Sequence, residues 1–169
     1  LQSQYEARRV LILPAPANRE ATHSFTDLYL EMCCPKSDIL ARCRSCGGEQ
    51  QPHQVQIRVV QVPKVMFVAV PREAQGAALE YAFAVEDVIS LPGCGKLELQ
   101  AVVYDVGLRG GLRQHAAACR RSGKEFRFFE DRKAARSLGS DISELRQRSI
   151  VLVVYAASED SRKAASVIG

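Results

Sequence analysis

Short apolar runs, each bounded by proline, glycine or polar residues, recur along this chain and limit what it can fold into. They occupy residues 10–13, 65–70 and 150–155, and at 55–62 and 97–104 apolar and polar residues alternate over part of the length. Runs of this length that are rich in valine and isoleucine are typical of strands, because β-branched side chains pack well on a pleated surface. Since strand follows strand with few helical segments between them, the sequence predicts an antiparallel-sheet-rich α+β domain.

The segments between these runs give weaker signals. Phe25, Leu28 and Leu30 form a strand-like patch. Residues 73–90 fit two interpretations, because residues 77–84 suit a helix whereas residues 83–89 suit an extended chain. The periodicity of the apolar residues does not decide between them.

Two further segments are interpreted from their turn and capping residues. Residues 107–111 are rich in glycine and predict a flexible loop that leads to His115. Asp141 is followed three positions later by Glu144, which resembles a capping box and predicts a short helix ending near Arg148.

Residues 114–131 predict a hairpin of two short strands joined by a turn centred on Gly123. In this register His115 lies opposite Asp131. Directly opposite residues share a face of the sheet, with Cβ atoms about 4.5–5.5 Å apart. An aspartate at that distance can orient the imidazole, so that the other ring nitrogen takes a proton from a nucleophile. A chance pairing of a surface histidine with an aspartate is the alternative.

The length and composition fit one globular domain with a sizeable core: 169 residues, 47% hydrophobic and 25% charged. The net charge is only +4, and the basic residues between positions 120 and 136 alternate with Glu125, Glu130 and Asp131. Nucleic acid is therefore not expected as a partner. No apolar run approaches the roughly 20 residues that span a bilayer, which argues against a membrane partner.

The cysteines indicate a reducing environment. Six are few for a chain of this length, and no basic-then-apolar signal segment opens it. We therefore expect a cytoplasmic or nuclear location and no disulfide framework. The first residue is Leu1 and not methionine, which is consistent with a fragment, a processed product or one piece of a larger protein.

Four segments follow one another in an order that points to a known family. They are the Cys-x-x-Cys pair at 43–47 with the strands after it to residue 70, the strand 97–107, the histidine hairpin 114–131 and the strand 151–155. Together they resemble the palm and fingers of the ubiquitin-specific proteases, which are papain-like cysteine deubiquitinases. The resemblance covers roughly residues 25–156.

The resemblance implies one partial catalytic-type domain over residues 1–169. Fingers and palm strands would occupy about 25–70, the palm with its histidine box about 97–156, and a tail 157–169. It also implies the family's activity, which is hydrolysis of ubiquitin isopeptide or C-terminal peptide bonds. The implied partner is ubiquitin or a ubiquitin-like protein.

The resemblance assigns roles to the histidine hairpin. His115 takes the position of the general base, and Asp131 that of the residue that orients it. Gln114 stands where the family has a glycine and Ala116 where it has an aromatic residue, both along the substrate channel. These replacements weaken the expected grip on a Gly-Gly tail. Asp105 stands in place of a family histidine on the preceding strand.

The family's nucleophile is a cysteine in a thumb upstream of the fingers, and none of the six cysteines has that context. A thiol attacks as the thiolate and needs an imidazole beside it, whereas Cys119 lies about 13 Å from His115 along the same predicted strand. We therefore expect the nucleophile from outside this segment, on an absent part of the chain or on a second polypeptide.

Two other interpretations remain open. The first is a catalytically inactive pseudoprotease that binds ubiquitin, a ubiquitin-like protein or a scaffold partner. The second is an unrelated β-rich interaction domain. The presence or absence of a cysteine near His115 in the full-length protein separates the enzyme from the pseudoprotease.

No cofactor is required, but zinc is possible. A closed zinc site takes four thiolates, usually from two Cys-x-x-Cys pairs, and only Cys43 and Cys46 form such a pair. Cys33 or Cys34 could complete the site, but adjacent residues in a strand point to opposite faces, which makes one of them a poor ligand. The other histidines are interpreted as surface loop residues: His23 and His53.

Overall fold

The computed structural model describes residues 10–34, 36–41, 51–55, 57, 59–74, 76–92, 95–109, 112–120, 125–130, 133–139 and 149–157. In this part of the chain the structure is mostly β-sheet with one helix, α1 Phe25–Cys33. The strands in chain order are β1 Val10–Ile12, β2 Thr22–Ser24, β3 Lys36–Ala41, β4 Gln51–Val55, β5 Val65–Ala69, β6 Glu73–Ala74, β7 Ala77–Ala78, β8 Ala82–Ala84, β9 Val88–Leu91, β10 Gly95–Arg109, β11 Leu112–Arg120, β12 Phe126–Glu130, β13 Arg136–Gly139 and β14 Ser149–Ala157. The sheet-rich fold expected from the sequence is confirmed.

The main sheet has eight strands in the order β1-β5-β14-β10-β11-β12-β13, and β9 also pairs with β10. Its described pairs are antiparallel except β1 with β5, which run parallel. The central strand is β10, which is 15 residues long. β14 pairs along one side of β10, whereas β9 and then β11 pair with successive parts of its other side. The pairs β2-β8, β3-β4 and β6-β7 form separate two-stranded ribbons.

Most of the apolar runs form strands as predicted. The runs at 10–13, 65–70, 97–104 and 150–155 are confirmed as β1, β5, β10 and β14.

The strand predicted over 55–62 is wrong for most of its length. β4 ends at Val55, and the described residues from Val59 to Val62 form no strand. The Val59 amide donates a hydrogen bond to the hydroxyl of Tyr29 at 3.2 Å. A side chain therefore satisfies the Val59 amide in place of a neighbouring strand.

The strand-like patch predicted at Phe25, Leu28 and Leu30 is wrong, because these residues belong to α1. Ser24 caps the helix: its hydroxyl accepts the Asp27 amide at 3.2 Å, and its own amide donates to the Asp27 carboxylate at 2.9 Å. This reciprocal capping box satisfies two amides that the first helical turn leaves without partners. The buried side chains of α1 recur at helical spacing: Phe25, Leu28, Tyr29 and Met32.

The helix considered for residues 77–84 is also absent, because the described residues between 73 and 91 are extended or turn. Arg72 holds this segment in place: its Nη1 donates to the Tyr81 carbonyl at 2.6 Å, and its backbone carbonyl accepts the Leu79 amide at 2.8 Å. These backbone groups are therefore satisfied without a helix.

The flexible loop predicted at 107–111 is wrong in its first part, since β10 continues through Arg109. A bulge lies between Asp105 and Gly107 in the pairing with β11. Gly107 has φ +96°, a left-handed conformation that favours glycine. The glycine therefore serves a bulge within the strand. Residues 110 and 111 lie outside the described residues.

The core lies on one face of the main sheet, where α1 and the segment from Leu79 to Leu91 pack against it. The rings of Phe25 and Tyr155 have centroids 5.9 Å apart. Tyr155 is fully buried, its hydroxyl donates to the Glu86 carbonyl at 3.1 Å, and burial raises the pKa of its phenol. We call this side of the sheet the core face.

The predicted helix at 141–148 lies outside the described residues, and so does the predicted tail at 157–169 except for Ala157, which ends β14. Within the described part, α1 is too short and insufficiently apolar to cross a membrane.

Candidate functional site

The histidine hairpin is formed by β11 and β12. Its described pairs run from Ala116 opposite Glu130 to Arg120 opposite Phe126, which is the register predicted from a turn centred on Gly123. Asp131 is the position after Glu130 and lies outside the described residues. Its pairing with His115 therefore stays a prediction.

Side chains alternate between the two faces of β11. Ala116 and Ala118 are buried on the core face, whereas His115 is exposed and lies on the opposite face together with Ala117 and Cys119. The imidazole therefore points away from the core, where another group can approach it. We call this side of the sheet the outer face.

A row of polar residues crosses the outer face at His115. Asp105 on β10 lies directly opposite His115 on β11, and Ser149 on β14 lies opposite Asp105. The Asp105 carboxylate accepts a hydrogen bond from the Gly107 amide at 2.8 Å, across the bulge. This contact ties the side chain to the backbone beside the histidine.

The rest of the outer face is mainly apolar and follows the pairing register across six strands. Because directly opposite residues share a face, one row of side chains crosses the six strands from Ile12 on β1 to Phe129 on β12. A second row beside it starts at Val10 on β1. The apolar residues of the outer face are Val10, Ile12, Val65, Phe67, Ala69, Ala101, Val103, Ala117, Phe129, Leu152 and Val154.

Several of these side chains remain accessible in the described part of the chain. Ile12 is 58% exposed, Phe129 46% and Phe67 41%. Six strands at the usual spacing of about 4.8 Å make this face roughly 24 Å wide. A contiguous apolar surface of this kind marks a site where another element or protein packs. His115 lies at its edge.

Among the cysteines that the structure describes, Cys119 lies on the same strand as His115, β11. It lies on the outer face four positions further along β11, which is about 13 Å at the rise of a strand. Burial raises the pKa of the Cys119 thiol, and this disfavours the thiolate. Cys119 therefore does not suit the role of nucleophile for His115.

The residues predicted to line the substrate channel are the positions immediately before and after His115 on β11. Gln114 is half-buried and pairs with Gly107 on β10, whereas Ala116 is buried on the core face between Tyr104 and Glu130. The structure thus gives Ala116 a packing role. Whether either residue contacts substrate stays a prediction.

The predicted zinc ligands are only partly described. Cys43 and Cys46 lie outside the described residues. Cys33 and Cys34 are at the end of α1 and not in a strand, so the alternation argument applied to them is wrong. Cys33 packs against the core while Cys34 is exposed, and both are free thiols. In the described part no three His, Cys, Asp or Glu side chains are grouped to hold a metal.

The two other histidines lie on short strands, and the prediction of loop positions is wrong. His23 is in β2 and His53 in β4. His23 is half-buried, its Nε2 contacts the Asn18 carbonyl at 2.5 Å, and its ring lies edge-on to Tyr81. These contacts give His23 a structural role.

Comparisons with known proteins bear on the fold. No family model matches the chain, and no curated protein does. Among solved structures it is similar to the SAGA deubiquitinating module Ubp8/Sgf11/Sus1/Sgf73 bound to monoubiquitin, with a TM-score of 0.64 and 16% identity, over 89% of this chain and 35% of that chain. The same module bound to ubiquitin aldehyde gives a TM-score of 0.63 and 15% identity, over 89% and 36% of the two chains.

A further structure of the module, from yeast, gives a TM-score of 0.64 at 16% identity, over 89% of this chain and 35% of that chain. This chain therefore spans about a third of the length of the chains that it matches. The fold is like that of the matched chains of this deubiquitinating module. The likeness concerns the fold alone, and the roles of the site residues stay predictions.

Proposed function

We propose that this chain is the palm and fingers part of a ubiquitin-specific cysteine protease. It acts with a nucleophile supplied from outside the segment and hydrolyses ubiquitin isopeptide or C-terminal peptide bonds. The fold likeness supports the family, and the position of His115 supports the chemistry.

The observation that carries the proposal is that His115 lies on the exposed apolar outer face. A thiol must come within hydrogen-bond reach of the imidazole to transfer its proton. Any element that covers the outer face approaches His115 from the side on which its ring is accessible. An apolar face is also the surface on which a thumb, in the same protein or on a second polypeptide, gains the most free energy by packing.

The roles follow from this arrangement. His115 takes the proton of the incoming thiol and later returns it to the leaving amine. Asp131 orients the imidazole, and Gln114 contacts the tail of ubiquitin or of a ubiquitin-like protein. Cys43 and Cys46 hold zinc if two further thiolates complete a tetrahedral set. We propose the cytoplasm or the nucleus as the location.

A binding module without chemistry is the second candidate, and two observations favour it. The described thiols include none beside His115, and the aromatic residue that walls the family's channel is replaced by Ala116, which is buried. Such a pseudoprotease would bind ubiquitin, a ubiquitin-like protein or a scaffold partner on the same surface.

The test is reaction of the full-length protein with a ubiquitin that carries a C-terminal electrophile. We expect labelling, and a decrease of about 10²–10⁴-fold in its rate for His115→Ala, the usual range for loss of a general base. Cys119→Ser serves as the control and should label as the wild type does. Undiminished labelling of His115→Ala would contradict the assignment of His115. Binding of the probe without labelling would support the pseudoprotease.

A further inference from the structure

We propose that Asp105 is a positioning residue for His115. Its carboxylate accepts a hydrogen bond from the imidazole and thereby fixes which ring nitrogen carries the proton. The inference rests on the proposed function in one respect, which is the role of His115 in proton transfer. It adds a second acidic partner on β10, on the side of His115 opposite to β12.

The strand register brings the two side chains together. Asp105 and His115 form a directly opposite pair between β10 and β11. The neighbouring pair, Tyr104 and Ala116, is buried on the core face, so Asp105 and His115 both lie on the outer face. As the structure places these two described residues, the Asp105 carboxylate contacts the Gly107 amide and no hydrogen bond joins it to the imidazole. Cβ atoms of an opposite pair are about 4.5–5.5 Å apart, so a change of side-chain rotamer brings the carboxylate and the imidazole within hydrogen-bond reach.

The backbone around Asp105 restrains its carboxylate. Oδ1 accepts the Gly107 amide at 2.8 Å, and the intervening residue forms the bulge that shifts the register between Asp105 and Gly107. Bulges recur beside active sites, where they redirect a side chain. A carboxylate accepts up to about four hydrogen bonds, so the contact with Gly107 is compatible with one from the imidazole.

The surroundings of Asp105 strengthen its effect on the ring. The side chain is half-buried, and Ser149 lies opposite it on β14. Partial burial lowers the local dielectric and reduces screening by water. A carboxylate here holds the neutral ring in one tautomer, so that the nitrogen facing the incoming thiol is the one without a proton.

The decisive measurement is the set of imidazole ¹⁵N chemical shifts of the full-length protein, at a pH where the ring is neutral. His115→Ala identifies the signals of His115. Asp105→Asn retains an acceptor for the Gly107 amide but removes the carboxylate charge. We expect the neutral His115 ring to change from one dominant tautomer to the other or to a mixture, with the His23 signals unchanged.

Matched variants separate this role from a general effect on the sheet. Glu98→Gln neutralises another half-buried acid on β10, which pairs with Arg120, and should leave the His115 signals as they are. Asp105→Glu should restore part of the tautomer preference. An unchanged tautomer in Asp105→Asn, or an equal change in Glu98→Gln, would overturn the proposal. A tautomer that depends on Asp131 and not on Asp105 would also overturn it.

These outcomes are independent of the proposed function. If the tautomer depends on Asp105 but His115→Ala still reacts with the electrophilic ubiquitin, the positioning role stands and the proposed chemistry fails. If His115→Ala loses labelling while the His115 tautomer is unchanged in Asp105→Asn, the proposed chemistry stands and the positioning role fails. When both stand, Asp105→Asn should lower the maximal labelling rate about 10-fold or more without weakening probe binding.

Discussion

The Glu86 carboxylate accepts hydrogen bonds from both the amide and the hydroxyl of Thr26, each at 2.9 Å. Thr26 is the second residue of α1, where amides have no partner within the helix. The segment between β8 and β9 therefore caps the helix from a distance in sequence, and its negative charge also suits the positive end of the helix dipole.

We predict that Glu86→Ala lowers the free energy of unfolding by about 1–2 kcal/mol, the cost of losing a helix cap. Urea denaturation measures the change. Glu80→Ala removes an exposed acid from the neighbouring segment between β7 and β8 and should cost less than about 0.5 kcal/mol. Equal effects of the two variants would show that the contact with Thr26 contributes nothing.

Arg72 is the subject of a second prediction. Its Nε donates to the Ile150 carbonyl at 2.8 Å and its Nη1 to the Tyr81 carbonyl, while the guanidinium lies 4.5 Å from the centre of the Tyr81 ring. Arg72→Lys cannot make both bonds. It should lower the free energy of unfolding by about 1–3 kcal/mol, because a part-buried carbonyl then lacks its donor.

Thermal denaturation followed by circular dichroism checks this expectation. Arg19→Lys, at an exposed position, is the control for the change in side-chain type and should leave the midpoint unchanged. A similar midpoint for Arg72→Lys would mean that water replaces the missing donor.

The free energy of unfolding should depend on pH through the carboxyl group of Asp27. The pKa of Asp27 is below its ordinary value of 3.8, first because the Ser24 amide donates to its carboxylate and second because the Ser24 hydroxyl does. A carboxyl whose pKa is lower in the folded state stabilises the protein above the unfolded pKa. It loses that contribution as the pH falls through the folded pKa.

Asp27→Asn should therefore be less stable than the wild type at about pH 6, and the difference should shrink towards about pH 2. Urea denaturation across this range measures the difference. In a Ser24→Ala background the same change should depend less on pH, because one donor is gone. A difference that grows in acid would contradict the assigned sign.

The fourth prediction tests the outer face as a packing surface. Phe67→Lys places a charge in the middle of the outer face. We expect this charge to weaken the packing of the thumb that carries the nucleophile. Labelling by electrophilic ubiquitin should decrease about 10-fold or more, since a buried unpaired charge costs several kcal/mol. The stability of the described domain should change by less than about 1 kcal/mol, because Phe67 is exposed there.

Leu30→Lys is the matched control. Leu30 is 57% exposed, but it belongs to α1, which packs on the core face of the sheet. This variant should label at the wild-type rate. Equal loss of labelling in the two variants would indicate a general effect of surface charge and not a specific role of the outer face.

The strands that the sequence predicts well are those whose apolar runs are continuous, such as β5 and β14. The hairpin register was also predictable over the described pairs, because a short turn leaves a register little freedom. α1 was missed, because it is short, its capping box uses Asp27 in place of the commoner glutamate, and the exposed Leu30 interrupts the helical spacing of apolar residues.

The outer face shows why the rest was harder to predict. A fully apolar run such as β5 predicts a strand buried on both faces, yet Phe67 is exposed in the described part of the chain. The sequence contains the apolar residues but not the identity of what covers them. Likewise, the opposition of Asp105 and His115 depends on where the bulge at Gly107 falls, and the sequence alone suggested a loop there.

The central position of β10 has a consequence for the mobility of the site. Between Leu97 and Asp105 this strand has β14 on one side and β9 or β11 along most of the other. Amides held in this way exchange with solvent deuterium mainly when the whole domain opens. Asp105 is therefore attached to a slowly exchanging strand, whereas β13, the last strand in the described order of the sheet, should exchange faster.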